Sequence, residues 1–432
     1  MASLRRVVCA MIMAVAARGL ELRAQTPPVD TTRAHDDTAT TWGAVDPGNG
    51  FILAKTDRGT LAISAYALWR YINQLPVHET YVDHLGNEHV VDTRNDMQFH
   101  RVQIFFKGWI YLPKLRYQIT VWTVNATQQV AVVGSITYNF AKQFKLTAGV
   151  NGLPGTRTLG GSHPYWLGTD RVMADEYFRP GFTSGLWATG EALPRFYYTL
   201  MVGDNLSQLG ITAAQLTRNM ATGGTVWWMP TTGEFGPRGG FGDYEEHKHL
   251  ATRFGTSYVH SHENRFNELT ESSPDNTQIR LSDALLLFQT GSLADGVTIS
   301  DATYQVNSFD AGLKYRGAFL QTELFFRRLD RFVSDGPLPL GSVVDRGWYL
   351  QGSYMFLPKR WEVFAATSQI DGQFNRSWEV LGGLNWFPDA SRNTRVNLYV
   401  TRVNRSPVSS VFGYYVGGLR GTITSVAWSF LF

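Results

Sequence analysis

Thr422-Ile-Thr-Ser-Val-Ala-Trp-Ser-Phe-Leu-Phe432 decides the fold. Successive side chains of an extended strand point to opposite faces, so Val426, Trp428, Phe430 and Phe432 share one side. Ser425, Ala427 and Ser429 share the other, where Leu431 is the only large apolar residue. A face of large apolar residues backed by small polar ones suits a wall with lipid outside and water inside. An edge strand of a soluble sandwich would leave those aromatics in water without a reason.

The start of the chain is consistent with that wall. Arg5 and Arg6 precede an apolar run from Val7 to Ala17, and Leu22-Arg23-Ala24 offers a small residue for cleavage. Residues 1–24 are therefore expected to be a secretory signal peptide. Beyond them no run of about eighteen apolar residues occurs, so a helical membrane protein is excluded. Cys9, the single cysteine, lies at the start of the apolar run, the wrong end for a lipid anchor. The exported chain is then expected to hold together without disulfides.

Residues 1–24 also carry Arg5, Arg6, Arg18, Arg23 and Glu21, so totals of 39 basic and 36 acidic residues fall to 35 of each. A neutral chain disfavours a nucleic-acid partner. Preference for a charged solute must come from where charges sit. Only 17% of residues are charged, 13% are aromatic and 42 are glycine. Soluble chains carry nearer a quarter charged residues, whereas membrane barrels use aromatics at two interface girdles and glycine in tight turns.

Counting back from Phe432, alternation marks strands near 61–72, 98–111, 114–125, 130–140, 143–150, 183–191, 195–203, 221–229, 249–261, 308–317, 318–330, 347–357, 360–370, 377–387, 393–404 and 421–432. The expected fold is all-β: a closed transmembrane antiparallel barrel of about 16 strands. Segment 281–289 is assigned to a long loop, since one further strand would make the number odd. Short turns fall on one rim and long connections on the other, except a short outer connection at 126–129 and a long inner one at 230–248. Leu112-Pro113-Lys114, Leu193-Pro194-Arg195 and Leu357-Pro358-Lys359 repeat one turn phrase on the short-turn, periplasmic rim. The domain plan is signal peptide 1–24, flexible periplasmic segment 25–59 rich in Thr, Asp and Pro, and barrel 60–432.

Alternation also assigns faces. Val102, Ile104 and Phe106 face lipid, which puts Arg101, Gln103 and Lys107 in the lumen. Leu115, Tyr117, Ile119 and Val121 leave Lys114, Arg116, Gln118 and Thr120 inside. Arg253, Lys314, Arg316, Gln321, Glu323, Arg327, Arg395, Asn397 and Thr401 follow by the same parity. A charge in lipid at mid-depth costs about 2–4 kcal/mol, which makes these parities hard to reverse. Arg101, Lys107, Arg116, Arg253, Lys314 and Arg316 are the candidate pore-lining residues, and about sixteen strands are wide enough for an aqueous channel. The long segment 151–182, glycine-rich from Gly152 to Gly161, is expected to fold inward and narrow it.

The closing strand resembles that of bacterial outer-membrane barrels, whose terminal Phe, here Phe432, is read by the barrel-assembly machinery. More broadly, residues 60–432 resemble the phosphate-selective porin O/P family. The resemblance rests on Phe99 to Trp122, on Phe144-Lys-Leu-Thr-Ala-Gly-Val150 ahead of a long loop, and on Val380-Leu-Gly-Gly-Leu-Asn-Trp-Phe387 before Arg395-Val-Asn-Leu-Tyr-Val400. It implies an anion-conducting, homotrimeric porin whose third extracellular loop enters the lumen, with phosphate among the anions carried. By order that loop is 151–182, with Arg157, Arg171, Arg179, Asp170, Asp175 and Glu176 as candidate constriction residues. The family's arginine ladder and constriction lysine have no unambiguous equivalent here. The three carboxylates also oppose a phosphate filter.

The function expected is passive diffusion of small hydrophilic or anionic solutes across the outer membrane, with weak anion preference and no cofactor. Outer-membrane lipid and lipopolysaccharide are the surroundings. The loop arginines admit two readings, an anion filter or pairs with loop carboxylates or lipopolysaccharide phosphates. His247 with His249, and His260 with His262, have spacing that permits a metal, but no clear third ligand accompanies them. A non-conducting structural or adhesive barrel, and an outer-membrane hydrolase, are the alternatives. The latter finds no G-x-S-x-G elbow.

Overall fold

Sixteen strands close on themselves in the computed structural model, which describes residues 50–124, 129–159, 164–204, 206, 218–264, 279–409 and 413–432. Residues 1–49, where a signal peptide and most of the lead-in are expected, lie outside the described residues. In chain order the strands are β1 (Phe51–Thr56), β2 (Gly59–Leu75), β3 (Thr80–Val82), β4 (Glu88–Val90), β5 (Asn95–Ile110), β6 (Leu112–Val124), β7 (Gln129–Ala141) and β8 (Phe144–Gly152). Helix α1 (Met173–Phe178) follows, then β9 (Phe182–Leu193), β10 (Phe196–Gly203), β11 (Ala221–Trp228), β12 (Ala251–Asn264) and β13 (Ile299–Tyr315). The chain continues with β14 (Ala318–Ser334), β15 (Ser342–Leu357), β16 (Trp361–Asp371), β17 (Arg376–Trp386), β18 (Thr394–Asn404) and β19 (Gly421–Leu431).

The wall consists of β2 and β5 to β19, each antiparallel to the next, and β19 closes it by pairing with β2 from Thr422↔Leu75 to Leu431↔Tyr66. Each strand expected from the alternation is present. The hairpin β3–β4 stands apart in the first outer connection. Segment 281–289 lies in the outer connection between β12 and β13, where Leu281, Leu285, Leu287 and Phe288 are buried.

Two boundaries differ from expectation. The segment 25–59 is not wholly a flexible lead-in, because Phe51–Thr56 forms β1 and pairs with β2 from Phe51↔Ile63 to Thr56↔Gly59. β1 occupies the stretch of β2 below the end of β19, and the Phe51 and Phe432 rings lie 5.8 Å apart. Of the three Leu-Pro-basic phrases, Pro194 and Pro358 lie in turns, while Pro113 is the second residue of β6. At a strand end the missing N–H interrupts little of the ladder.

Faces follow the alternation. Val426 and Trp428 are exposed on the outside of β19, while Ser425, Ala427 and Ser429 are buried inside. The same outward belt runs through Ile136, Leu200, Phe254, Phe309, Phe326, Leu350, Val380 and Val400. So extensive an exposed apolar surface is stable in a bilayer and not in water. With closure of the ladder, this places the protein in the bacterial outer membrane.

Candidate functional site

Lumen-facing side chains divide by sector. Across β13 to β17 each strand points one carboxylate inward: Asp310, Glu323, Asp345, Glu362 and Glu379, all buried. On the opposite sector, β5 and β6 bring Arg101, Lys107 and Arg116 to the inner face. Between them and on β7 and β8 stand Gln103, Gln118, Thr120, Ser135, Thr137 and Thr147, with no carboxylate among the described inward residues of β6 to β8. The Arg101 guanidinium lies 5.5 Å from the Trp122 ring centroid.

The connection between β8 and β9 enters the barrel and packs on the acidic sector, with α1 against β15 and β16. Inward-facing polar residues hold its backbone. Arg395 donates to the carbonyls of Trp166 (2.5 Å) and Gly168 (3.2 Å). Asn385 donates to Leu167 O at 2.9 Å. The amide of Met173, at the start of α1, donates to Glu379 Oε1 at 2.6 Å, and Tyr415 OH donates to Glu379 Oε2 at 2.7 Å. The Arg157 amide donates to Glu323 Oε1 at 2.9 Å. Tyr177 OH donates to Asp345 Oδ2 at 3.2 Å, while Arg327 donates to that same oxygen at 2.6 Å.

The six candidate constriction residues are largely paired with one another. Both Nε and Nη2 of Arg179 donate to Glu176, each at 2.8 Å. Arg171 donates to Thr158 at 3.0 Å, lies 3.6 Å from Glu176 and covers the Trp166 ring at 4.5 Å. Asp170 meets Arg70 at 3.5 Å. Burial pushes the Asp175 carboxyl up to about 6 despite Arg171 nearby, and it accepts from Thr158 at 2.9 Å. Arg157 reaches across to Gly239 O at 2.7 Å and stacks 4.2 Å from the Phe241 ring. Burial, then the like charge of Arg253, lowers its pKa to about 10, so it stays cationic at neutral pH.

Of the six candidate pore-lining residues, Arg101, Arg253 and Lys314 are buried on the inner face, with Arg253 donating to Asp310 at 3.0 Å. Lys107 and Arg116 are half-buried there. Arg316 is a correction: with Gly317 it forms the two-residue turn between β13 and β14, at φ 49° and 82°, and it is exposed. Two left-handed residues match the strand twist in such a turn, so alternation stops one residue before Arg316. The inner face is also not polar alone. Phe319, Phe325, Tyr349, Phe364 and Tyr399 face inward and form one apolar cluster with Trp166, Met173, Tyr177 and Phe178 of the entering loop. Alternation on a strand cannot distinguish an inward aromatic packed under a loop from one facing water.

The long inner connection between β11 and β12, residues 229–250, also enters the barrel, which parity did not foresee. Phe235, Phe241 and Asp243 are buried. His247 pairs with Asp243 and lies 2.8 Å from Glu234, while His260 and His262 lie on β12 and are half-buried. Burial opposes charge on His247, but hydrogen bonds to Asp243 and Glu234 outweigh it and hold the imidazole up to about 9. A raised folded-state pKa contributes stability that is full below about 6.5, the unfolded value, and is lost as pH rises through about 9. Unfolding temperature in detergent should therefore fall between pH 6.5 and pH 10 by more in the wild type than in His247→Gln. Equal falls would show that the imidazole charge does not stabilise the fold.

No protein-family model matches the chain, and no curated protein matches it. Solved structures do. OmpT of Vibrio cholerae is 10% identical, with 88% of this chain and 99% of that one covered at a TM-score of 0.52. An anion-selective porin from Comamonas acidovorans is 11% identical, with 87% and 100% covered at a TM-score of 0.50. At such identities the shared property is the fold. The chain is thus a sixteen-stranded outer-membrane β-barrel with porin architecture and an inward-folded loop.

Proposed function

We propose that this barrel is a channel for passive diffusion of small hydrophilic solutes, with a weak preference for anions. The observation that carries the reading is the division of charge. The loop arginines Arg171 and Arg179 are paired with loop carboxylates, and the wall carboxylates Glu323, Asp345 and Glu379 are bonded to the loop. Arg101, Lys107 and Arg116 stand on the inner faces of β5 and β6, beside a wall of neutral polar residues on β7 and β8. Fixed charge on a low-dielectric wall focuses its field into the lumen, so local placement matters in a chain of balanced charge. Phosphate is then one permeant anion among several, without a dedicated filter. Association of three copies belongs to the same reading.

Neutralising Arg101, Lys107 and Arg116 together should move the reversal potential in a salt gradient toward cation selectivity. A wild-type channel that already prefers cations would overturn the anion preference. The filled acidic sector favours a second reading, a barrel that does not conduct. Planar-bilayer recording of the purified protein separates the two.

A further inference from the structure

A turn on the inner rim needs two residues, as Arg316 and Gly317 demonstrate, yet the connection after β11 spends residues 229–250 and carries them into the lumen. Excursions beyond about 12–15 residues in a compact protein usually have a task. Its tip meets the loop from the opposite rim. The Phe241 amide donates to Tyr165 O at 2.6 Å, and Arg157 donates to Gly239 O. From the wall, Lys314 Nζ donates to Phe235 O at 2.8 Å and Gly240 O at 2.7 Å, while the Phe241 ring stacks 5.5 Å from Phe319.

The backbone is shaped for that seat. Gly233, Gly236, Gly239 and Gly242 recur every third residue, all left-handed, a conformation open to glycine at little steric cost. A Cβ on Gly240 would come within 2.5 Å of Tyr165 Cβ, and one on Gly242 within 2.3 Å of Glu362 Oε1. At the rim the segment is fastened separately: Asp243 accepts from the Gly317 amide at 2.7 Å, and His247 O accepts from the Arg316 amide at 2.9 Å. Between the rim anchor and the glycine-rich backbone, the tip is held by these directed bonds and by burial of Phe235 and Phe241 against wall and loop aromatics.

We propose that residues 229–250 form a movable plug that obstructs the lumen from the inner rim, with Lys314 as its latch. This rests on the channel reading above. Lys314 ties the tip at both Phe235 and Gly240, so losing the ammonium releases both carbonyls, which are left without their donor until water reaches them. Release lets the tip swing about the rim anchor.

The test records the full chain in planar bilayers, with heat-modifiable gel migration reporting folding. Replacing residues 231–248 by Asn-Gly should at least double single-channel conductance, and Lys314→Met should raise the time in the largest conductance level several-fold. A folded deletion with wild-type conductance, or one as silent as a silent wild type, overturns the plug. If the deletion does not fold, Lys314→Met decides alone, and wild-type gating in it overturns the proposal. The channel reading is tested apart from this by the wild type, and it fails if the wild type never conducts, whatever the deletion does.

Discussion

Deleting residues 154–180, with a short turn joining β8 to β9, is expected to raise single-channel conductance at least two-fold. The described part of this segment lies inside the barrel, with Leu159, Trp166, Leu167, Met173 and Phe178 buried. Its backbone is held by Arg395, Asn385, Glu379 and Glu323 from the wall. Removing it takes bulk from the lumen and exposes those wall groups to water, which can satisfy them. The wall ladder itself is untouched because β8 and β9 pair directly, from Lys145↔Thr189 to Gly152↔Phe182. A folded deletion that conducts like the wild type would show that the segment does not limit flow.

The second large effect is on stability. Asp345 Oδ2 accepts from Arg327 Nη2 at 2.6 Å and Nε at 3.1 Å, Oδ1 accepts from the Gln373 amide at 3.0 Å, and both ionic partners are essentially unexposed. Asp345→Ala leaves a buried guanidinium without its counter-charge, which costs about 3–5 kcal/mol. Such a loss should appear as a lower denaturant midpoint with little change in slope. The double variant Arg327→Met with Asp345→Leu removes both charges and should recover much of the loss. If the single variant is as stable as the wild type, the pair is not the anchor described.

Most of the wall was legible without coordinates. In β19, β5 and β6 the two-residue period and the cost of a charge in lipid leave one register in which Trp428, Ile104 and Ile119 face out. The arithmetic of turns and parity located the remaining strands, including the exclusion of 281–289. Arg316 escaped because parity carries no sign of where a ladder gives way to a turn. β1 escaped because its six residues are exposed and show no alternation of burial.

The candidate site was legible only as a set of residues. Arg171 and Arg179 could be placed on an inward loop, but pairing with carboxylates or facing a permeating anion depends on distances the sequence does not contain. The inner connection carried a signal that could have been read, glycine at 233, 236, 239 and 242 flanking Phe235 and Phe241. Sequence alone determined the closed sheet, its strand number and the two faces of each strand, because those follow from local period and the solvent on either side. The tertiary structure decided what fills the lumen and which charges remain there. Those contacts join residues such as Arg157 to Glu323 and Met173 to Glu379, more than a hundred positions apart, and only closure of the sheet brings them together.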